Sequence, residues 1–298
     1  MIIKNFIKAA RLRTLPLSIS GIILGGFLAM SDGLFNGVIF SLALITTIGF
    51  QVISNFANDY GDGVKGTDAI RIGEERMVSS GKISPKQMKK AIMISVILTI
   101  IFALFLIYES FGLSNFGYSV LFFILGIVSV VAAIKYTVGN LAYGYSGFGD
   151  VFVFLFFGLL SVLGSYFLFT KEIYFLLTLP AISIGLLSTA VLNLNNMRDY
   201  QNDKKSKKNT IVVKIGLKAA KRYHYSLILL SFISAVSYVV LTFTKTVQFI
   251  FLLAYIPLVI HALFVYNNKE ELRLDAELKK VALSTFLFSV LLGLGQVL

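Results

Sequence analysis

The chain has 298 residues, of which 57% are hydrophobic and 14% are charged, with a formal net charge of +12. Its mean hydropathy of +0.83 is far above that of a soluble domain of ordinary composition, which excludes that class. The absence of cysteine excludes disulfides, thiolate catalysis and thiolate metal sites.

The N-terminal stretch M-I-I-K-N-F-I-K-A-A-R-L-R is basic and mildly amphipathic. This pattern predicts an interfacial helix over residues 2–12. The apolar run that follows continues to membrane-spanning length, whereas a signal peptide has a short apolar core and a small-residue cleavage site. We therefore expect a first span that is retained.

Uncharged apolar stretches long enough to cross a bilayer, about 17 to 25 residues, recur along the whole chain. They predict an all-α polytopic membrane protein with nine transmembrane helices. No linker rich in Pro, Gly and Ser divides it, so one domain over residues 1–298 is expected. The predicted spans are 14–31, 35–54, 91–108, 116–134, 151–169, 173–193, 223–243, 247–266 and 281–298.

The basic residues predict how the chain is oriented. If the N-terminus is cytoplasmic, 25 of the 27 Lys and Arg residues lie in inner segments, and Lys171 and Lys245 are the two in outer loops. Lys and Arg near membrane ends are retained on the cytoplasmic side. We therefore expect a multi-pass cell-membrane protein whose basic residues contact anionic lipid rather than nucleic acid, since no soluble domain presents them.

Two polar insertions, 58–90 and 196–222, follow the second and sixth spans, so both face the cytoplasm in this topology. We expect them to form a cap over the cytoplasmic end of the helices. In the first insertion, Ser84 followed by Pro85 predicts the N-cap and first position of the next helix.

Each insertion opens with a cluster of Asn and Asp residues. In N-F-A-N-D-Y-G-D, a helix continued through the cluster would bring four side chains to one face, because three- and four-residue steps do so; they are Asn55, Asn58, Asp59 and Asp62. In N-N-M-R-D-Y-Q-N-D, four-residue steps relate Asn195, Asp199 and Asp203. Two helix ends thus each offer a row of oxygen ligands.

Carboxylates gathered at a membrane surface repel one another unless a cation compensates them. Mg²⁺ suits an all-oxygen site that substrate phosphates and waters complete. Zinc and copper are disfavoured, since neither cysteine nor clustered histidine is present. Nearby basic residues could hold the phosphate oxygens that the metal does not reach; they are Arg71, Arg76, Lys135, Arg198 and Lys208.

The alternative is that these carboxylates are solvated loop residues and helix caps, and for Asp68 and Asp150, which lie farther from the rows, both interpretations stay open. His224 and His261 fall in apolar spans and are expected to be hydrogen-bonded interior groups rather than catalysts. Aromatic rings at the inner ends of spans could flank a cation through their faces; they are Tyr60, Tyr136, Tyr143 and Tyr200.

The pair N-D-Y-G-D-G-V-K-G-T-D and N-M-R-D-Y-Q-N-D resembles the two aspartate-rich motifs of the UbiA superfamily of intramembrane prenyltransferases. Within it, the chain is most similar to the 1,4-dihydroxy-2-naphthoate polyprenyltransferases of menaquinone biosynthesis. Three further stretches carry that similarity, R-I-G-E-E-R-M-V-S-S-G-K-I-S-P at 71–85, G-F-G-D-V-F-V-F-L-F-F-G at 147–158 and N-T-I-V-V-K-I-G at 209–216. The last three spans match in hydropathy only.

The chain departs from the family pattern at four places, none of which is an expected metal ligand. Leu12 replaces the proline of the usual A-R-P-x-T-L, Asn140 replaces the proline of a Gly-Pro pair, and Asp150 replaces a glutamate. Lys207 and Lys208 stand where the family has Gly-Lys.

The resemblance implies a UbiA-like bundle whose cavity opens to lipid, with both motifs at its cytoplasmic mouth. Carried over by position, the catalytic and metal-binding carboxylates are Asp59, Asp62, Asp199 and Asp203, which would hold the diphosphate of a polyprenyl donor through Mg²⁺. The expected substrate-binding residues are Asn55, Asn58, Tyr60, Asp68, Arg76, Lys135, Tyr136, Asn195, Arg198 and Lys208. Ionisation of the donor would leave an allylic cation, which 1,4-dihydroxy-2-naphthoate attacks with loss of CO₂ and a proton, giving demethylmenaquinol.

Two alternatives remain at this point. The same chemistry could act on another aromatic acceptor, such as 4-hydroxybenzoate, homogentisate or haem. A membrane transporter with repeated helices is the alternative from another class, although the acids gather at one membrane face and the predicted spans contain no interior carboxylate.

Overall fold

The computed structural model describes residues 2–66, 75–140 and 142–298, and every regular element in this part of the chain is helical. Nine helices within these ranges are long and apolar enough to cross a membrane, which confirms the predicted all-α architecture. In chain order, spans one to nine are Ile3–Ser31, Gly37–Lys65, Pro85–Phe111, Phe116–Lys135, Gly149–Thr170, Phe175–Arg198, Ile211–Leu241, Thr246–Asn267 and Glu271–Val297.

Span one contains a sharp corner. A first helix, Ile2–Ala10, ends two residues before the predicted boundary of the interfacial helix, and the membrane helix proper is Leu15–Ser31. Between them Arg11 has φ 49° and ψ 62°, the left-handed conformation that is uncommon for any residue other than glycine. Two side chains secure the corner, because Asn55 donates to the Ala10 carbonyl (2.8 Å) and Thr14 donates to the Arg11 carbonyl (2.9 Å).

The start of span three confirms the sequence prediction. Ser84 Oγ accepts a hydrogen bond from the Gln87 backbone N–H (3.2 Å), and Gln87 Oε1 accepts one from the Ser84 N–H (2.9 Å). This reciprocal capping box satisfies two donors that a helix start would otherwise leave open. Pro85 occupies the first helical position, where its missing N–H has no cost.

Span five is built from three pieces, Gly149–Val153, a π-helix over Phe154–Gly164, and Ser165–Thr170. Such wide helical turns are rare and are frequently found at functional sites. In this segment Gly158 lies against Gly185 of span six, so that a Cβ added to Gly158 would come within 2.5 Å of the Gly185 Cα. The two backbones therefore touch, as small residues allow in membrane helices.

Span six lies at the centre of the bundle, where it packs against spans one, five, seven and nine. Its Leu187, Ala190 and Leu194 side chains are fully buried. The second acidic cluster follows directly on this helix, so the central position of span six places that cluster in the middle of one end of the bundle.

Candidate active site

A cavity of about 400 Å³ runs into the bundle from the end at which spans two and six finish. Polar and charged side chains line its mouth, whereas the rest is lined mainly by aliphatic and aromatic side chains, with Ser and Thr hydroxyls between them. The mouth is formed by Asn55, Asn58, Asp62, Arg76, Tyr136, Asn195 and Lys208. A ligand with a charged head and a long apolar body would match this division.

Span two remains helical through Lys65, as the prediction of an aspartate row required, but its two aspartates face different partners. Asp62 lines the cavity mouth, together with Asn58 one turn earlier. Asp59 instead accepts hydrogen bonds from the backbone N–H groups of Met77 (3.0 Å) and Val78 (2.9 Å), one at each carboxylate oxygen. Asp59 thus links the segment around Met77 and Val78 to the end of span two by hydrogen bonds.

Asp62 is almost completely buried and is held by two side chains from elsewhere in the chain. The Tyr145 hydroxyl donates to its Oδ1 atom (2.6 Å), and Arg76 Nη2 donates to its Oδ2 atom (3.3 Å). These contacts fix the orientation of the carboxylate, since hydrogen bonds to an ionised group are the strong ones.

Two lysines surround the ring of Tyr145. Lys65 Nζ lies 4.0 Å from the ring centroid and donates to the Thr137 carbonyl (2.9 Å), while Lys208 Nζ lies 5.3 Å from the same centroid. Lys208 Nζ is also 3.9 Å from an oxygen of Asp203. The structure therefore joins Asp62 of the first motif and Asp203 of the second through shared cationic and aromatic neighbours.

The second motif is not one continuous helical row, in contrast to the spacing-based expectation. Span six ends at Arg198, Asp199 leaves the helical conformation (φ −90°, ψ 6°), and a short helix, Tyr200–Lys205, carries Asp203. Of the three residues of the row, Asn195 lines the cavity mouth.

Arg198, the last residue of span six, is buried at this break. Its guanidinium donates to both oxygens of Asp199 (2.7 and 2.8 Å), to Asn195 Oδ1 (2.8 Å) and to Asp275 of span nine (2.5 Å). Asp199 therefore forms a bidentate ion pair with its own neighbour. The predicted roles of Asp199 as a metal ligand and of Arg198 as a phosphate ligand would have to compete with this pair.

A row of aromatic rings lines the cavity on the side of spans four and five. Tyr136 meets Tyr143 edge-on (5.3 Å between centroids), Tyr143 stacks on Phe152 (3.9 Å), and Phe152 stacks on Phe156 (6.1 Å). Burial, followed by the negative charges of Asp150, Asp62 and Asp203, raises the pKa of Tyr136 above its usual value. Its phenol therefore stays neutral beside the carboxylates.

The residues at the mouth fit a Mg²⁺ ion only if a substrate supplies further oxygens. In the part of the chain that the structure describes, no three His, Cys, Asp or Glu side chains converge as a metal site. Mg²⁺ is commonly bound by one or two carboxylates together with substrate phosphates. Asp62 and Asn58 line the mouth, and Asp203 lies near it beside Lys208; these three side chains would provide the protein's share of the ligands.

The other predicted residues fall in several environments. Tyr60 packs against the apolar cluster around Phe56 and Met77, away from the cavity, and Lys135 is exposed. Asp150 is buried and accepts a hydrogen bond from the Tyr223 hydroxyl (3.3 Å). Asp68 and Arg71 lie outside the described residues.

The histidines confirm the expectation of interior hydrogen-bonded groups. His224 Nε2 lies 2.8 Å from His261 Nε2, and His261 Nδ1 lies 2.6 Å from Glu277 Oε2. All three side chains are buried between spans seven, eight and nine, outside the cavity lining.

Sequence reasoning missed several residues that shape the mouth, namely Arg11, Gln51, Lys65, Thr137, Tyr145 and Asp275. Tyr145 comes from a short connecting segment and Asp275 from the start of span nine, both remote from the motifs. Gln51 precedes Asn55 by four residues, about one helical turn, and donates a hydrogen bond to Asn55 Oδ1 (3.3 Å). The row of polar residues on this helical face could therefore have been followed one turn further.

Comparison with known proteins identifies the family. Residues 19–290 match the UbiA prenyltransferase family. The chain belongs to this family. It is 41% identical to a 1,4-dihydroxy-2-naphthoate octaprenyltransferase of Haemophilus influenzae over 98% of this chain and 96% of that protein. It is 40% identical to the Escherichia coli protein of the same name over 97% of this chain and 94% of that protein.

Solved structures of UbiA proteins share the fold of this prenyltransferase. A UbiA homolog from Archaeoglobus fulgidus has a TM-score of 0.71 at 14% identity, covering 98% of this chain and 99% of that one. The structure of a UbiA homolog from the same organism bound to GPP and Mg²⁺ has a TM-score of 0.69 at 13% identity, with the same coverage. That homolog thus binds GPP together with Mg²⁺.

Proposed function

We propose that this UbiA prenyltransferase transfers a polyprenyl group from polyprenyl diphosphate to 1,4-dihydroxy-2-naphthoate with loss of CO₂, giving demethylmenaquinol. The observation that carries the proposal is the division of the cavity into a charged mouth and an apolar interior. The names of the relatives with 40% and 41% identity support the choice of acceptor.

The charged mouth is suited to a diphosphate. Arg76 and Lys208 line it and offer cationic donors to phosphate oxygens, while Asp62 lines it as well and Asp203 lies beside Lys208. Mg²⁺ bound there with the donor would neutralise the charge of the departing diphosphate. Tyr145 and Arg76 hold Asp62 in one orientation, so the mouth is organised before a substrate arrives.

The apolar interior is suited to the reaction that follows departure of the diphosphate. Breaking the allylic C–O bond leaves a carbocation, which neutral aromatic faces such as those of Tyr136 and Tyr143 stabilise and which the water-poor wall protects. The electron-rich ring carbon that bears the carboxylate forms the new C–C bond. The carboxylate then leaves as CO₂, and its bonding electron pair restores the aromatic ring.

We further propose that the mouth faces the cytoplasm. The ends of the bundle differ in charge, since 25 of the 27 Lys and Arg residues belong to segments at the end that carries the mouth, and the exceptions are Lys171 and Lys245. Retention of such residues on the inner side would place the N-terminus in the cytoplasm and the protein in the cell membrane.

The function is tested with purified protein, octaprenyl diphosphate and a mixture of aromatic acceptors, in which the mass of the product is measured. We expect demethylmenaquinol and CO₂ with dihydroxynaphthoate, loss of turnover with a chelator and its return with Mg²⁺. Detection of prenylated 4-hydroxybenzoate or homogentisate instead would show that the protein uses a different aromatic acceptor. No prenylated product from any acceptor would refute the proposed function.

A further inference from the structure

Span six presents one stripe of side chains to the cavity, formed by Ser188, Val191, Leu192 and Asn195. These residues follow one another in three- and four-residue steps, which place side chains on the same helical face. Asn195 lies at the mouth, and Ser188 precedes it by seven residues in the same helix. At about 1.5 Å of rise per residue, Ser188 is therefore roughly 10 Å deeper in the cavity.

The Ser188 hydroxyl is buried without a hydrogen bond. The residue is 1% exposed, and its Oγ atom has no partner among the residues that the structure describes. Two neighbours in the same helix differ, since Ser183 donates to the Leu179 carbonyl (3.1 Å) and Thr189 donates to the Gly185 carbonyl (2.8 Å). A buried hydroxyl without a partner costs about 1–3 kcal/mol. A ligand that supplied a hydrogen bond at this point would offset that cost.

The packing of span five against span six shows which part of span five lies at the same depth. A Cβ added to Gly149 would come within 3.3 Å of Leu192 Cδ2, and one added to Gly158 would come within 2.5 Å of the Gly185 Cα. The two helices are therefore antiparallel. Ser188 stands between Leu192 and Gly185 in span six, so it lies at the depth of the middle of the segment between the two glycines of span five.

That middle segment carries two aromatic rings of the cavity wall, Phe152 and Phe156. Their planes are nearly parallel, with an angle of 10° between them and 6.1 Å between their centroids. A flat aromatic ligand can stack on such a surface. A ligand ring seated there has its edge at the depth of the Ser188 hydroxyl.

Only one of the two proposed substrates can form a hydrogen bond at this depth. Beyond its diphosphate, the donor is a hydrocarbon chain. The acceptor carries a carboxylate and two hydroxyls on one ring, and the ring carbon that bears the carboxylate must meet the allylic carbon beside the diphosphate. The carboxylate therefore stays near the mouth. The 4-hydroxyl is the hydroxyl farther from the reacting carbon, so it is the one that can reach deeper.

We propose that Ser188 binds the 4-hydroxyl of the acceptor, and that this hydrogen bond selects a 1,4-dihydroxy ring stacked on Phe152 and Phe156. The proposal rests on the proposed use of 1,4-dihydroxy-2-naphthoate. A serine hydroxyl both donates and accepts, so it pairs with a phenolic hydroxyl in either direction. A site that pairs with a ligand hydroxyl rejects an analogue without it, because the polar group of the protein is then left unpaired.

Ser161 supplies a matched control. It also lines the cavity, and its buried Oγ atom likewise has no hydrogen-bond partner within the described ranges. Ser161 lies three residues beyond Gly158, away from the mouth, whereas Ser188 lies three residues beyond Gly185, towards the mouth. The two hydroxyls thus differ in depth by roughly 9 Å. Ser188→Ala and Ser161→Ala make the same chemical change at two depths of one cavity.

The experiment measures the equilibrium binding of 1,4-dihydroxy-2-naphthoate and of 1-hydroxy-2-naphthoate, which lacks the 4-hydroxyl. Purified protein is used without oxygen, with Mg²⁺ and inorganic diphosphate to occupy the mouth. We expect wild-type protein to prefer the dihydroxy compound by about tenfold or more. Ser188→Ala should lose this preference, while its affinity for 1-hydroxy-2-naphthoate stays within about twofold of wild type. Ser161→Ala should keep the preference.

Retained binding of 1-hydroxy-2-naphthoate verifies that Ser188→Ala is folded. The proposal is overturned if wild-type protein has no preference, if Ser188→Ala keeps it or binds both compounds equally more weakly, or if Ser161→Ala loses it too. Because no prenyl group is present, this result is separate from the proposed reaction. That reaction fails if wild-type protein binds the acceptor and a polyprenyl diphosphate but forms no prenylated product.

Discussion

The Tyr145 hydroxyl donates a 2.6 Å hydrogen bond to Asp62 across 83 positions of sequence. Asp62 lies in the last turn of the long helix of span two, whereas Tyr145 belongs to the connection before span five. The contact makes the orientation of a cavity carboxylate depend on a segment outside both aspartate motifs. Tyr145 is thus a positioning residue for the mouth.

Tyr145→Phe should lower turnover by about tenfold, because a hydrogen bond to an ionised group is lost and Asp62 is held less well. Its half-saturating Mg²⁺ concentration should rise, which distinguishes positioning from general loss of structure. Tyr143→Phe is the control, since the Tyr143 hydroxyl donates to the Ala132 carbonyl rather than to a carboxylate. Equal Mg²⁺ dependence in both variants would contradict the role of Tyr145.

Asp59→Asn and Asp62→Asn should fail in different ways. The amide side chain introduced at position 59 presents an NH₂ group to one of the two backbone donors of Met77 and Val78. The segment around these residues should therefore loosen, and the free energy of unfolding should fall by about 1–3 kcal/mol. Faster proteolysis there and a lower melting temperature would show it. Asp62→Asn removes the charged partner of buried Arg76, so its melting temperature should also fall, but turnover should fall below about one hundredth, further than in Asp59→Asn. Equal turnover in the two variants would contradict this division.

Arg198→Gln should destabilise the protein by about 3 kcal/mol, because it leaves buried acceptors without their charged donor. The measurement is the melting temperature in detergent. Arg273→Gln is the matched control, since the Arg273–Glu270 pair is exposed, with about two thirds of each side chain accessible (65% and 63%), and such pairs contribute about 0–1 kcal/mol. The prediction fails if the two melting temperatures fall equally.

The absence of cysteine makes the topology directly measurable. A single cysteine at Lys171 should react with an impermeant thiol reagent added outside intact cells, whereas one at Lys205 should react only after the membrane is opened. This follows from the retention of basic segments on the cytoplasmic side. The reverse pattern would invert the bundle and place the mouth outside the cell.

The spans could be predicted because each is a long uncharged run that has few alternatives to a membrane helix. The Asn58–Asp62 pair at the mouth could also be found, since helical spacing places these two residues on one face. The hydrogen-bond partners of the Asp59 side chain could not be predicted, because they are backbone N–H groups of a later segment. The break at Asp199 and the π-helix of span five depend likewise on tertiary contacts that no local pattern records.

The contact between Arg198 and Asp275 sets an order of assembly. Arg198 ends span six, and Asp275 stands at the beginning of span nine. During synthesis the second motif emerges long before the carboxylate that completes its buried ion pair. The mouth of the cavity therefore acquires its final electrostatic balance only after span nine is inserted, so a chain arrested after span eight would hold both aspartate motifs without a finished site.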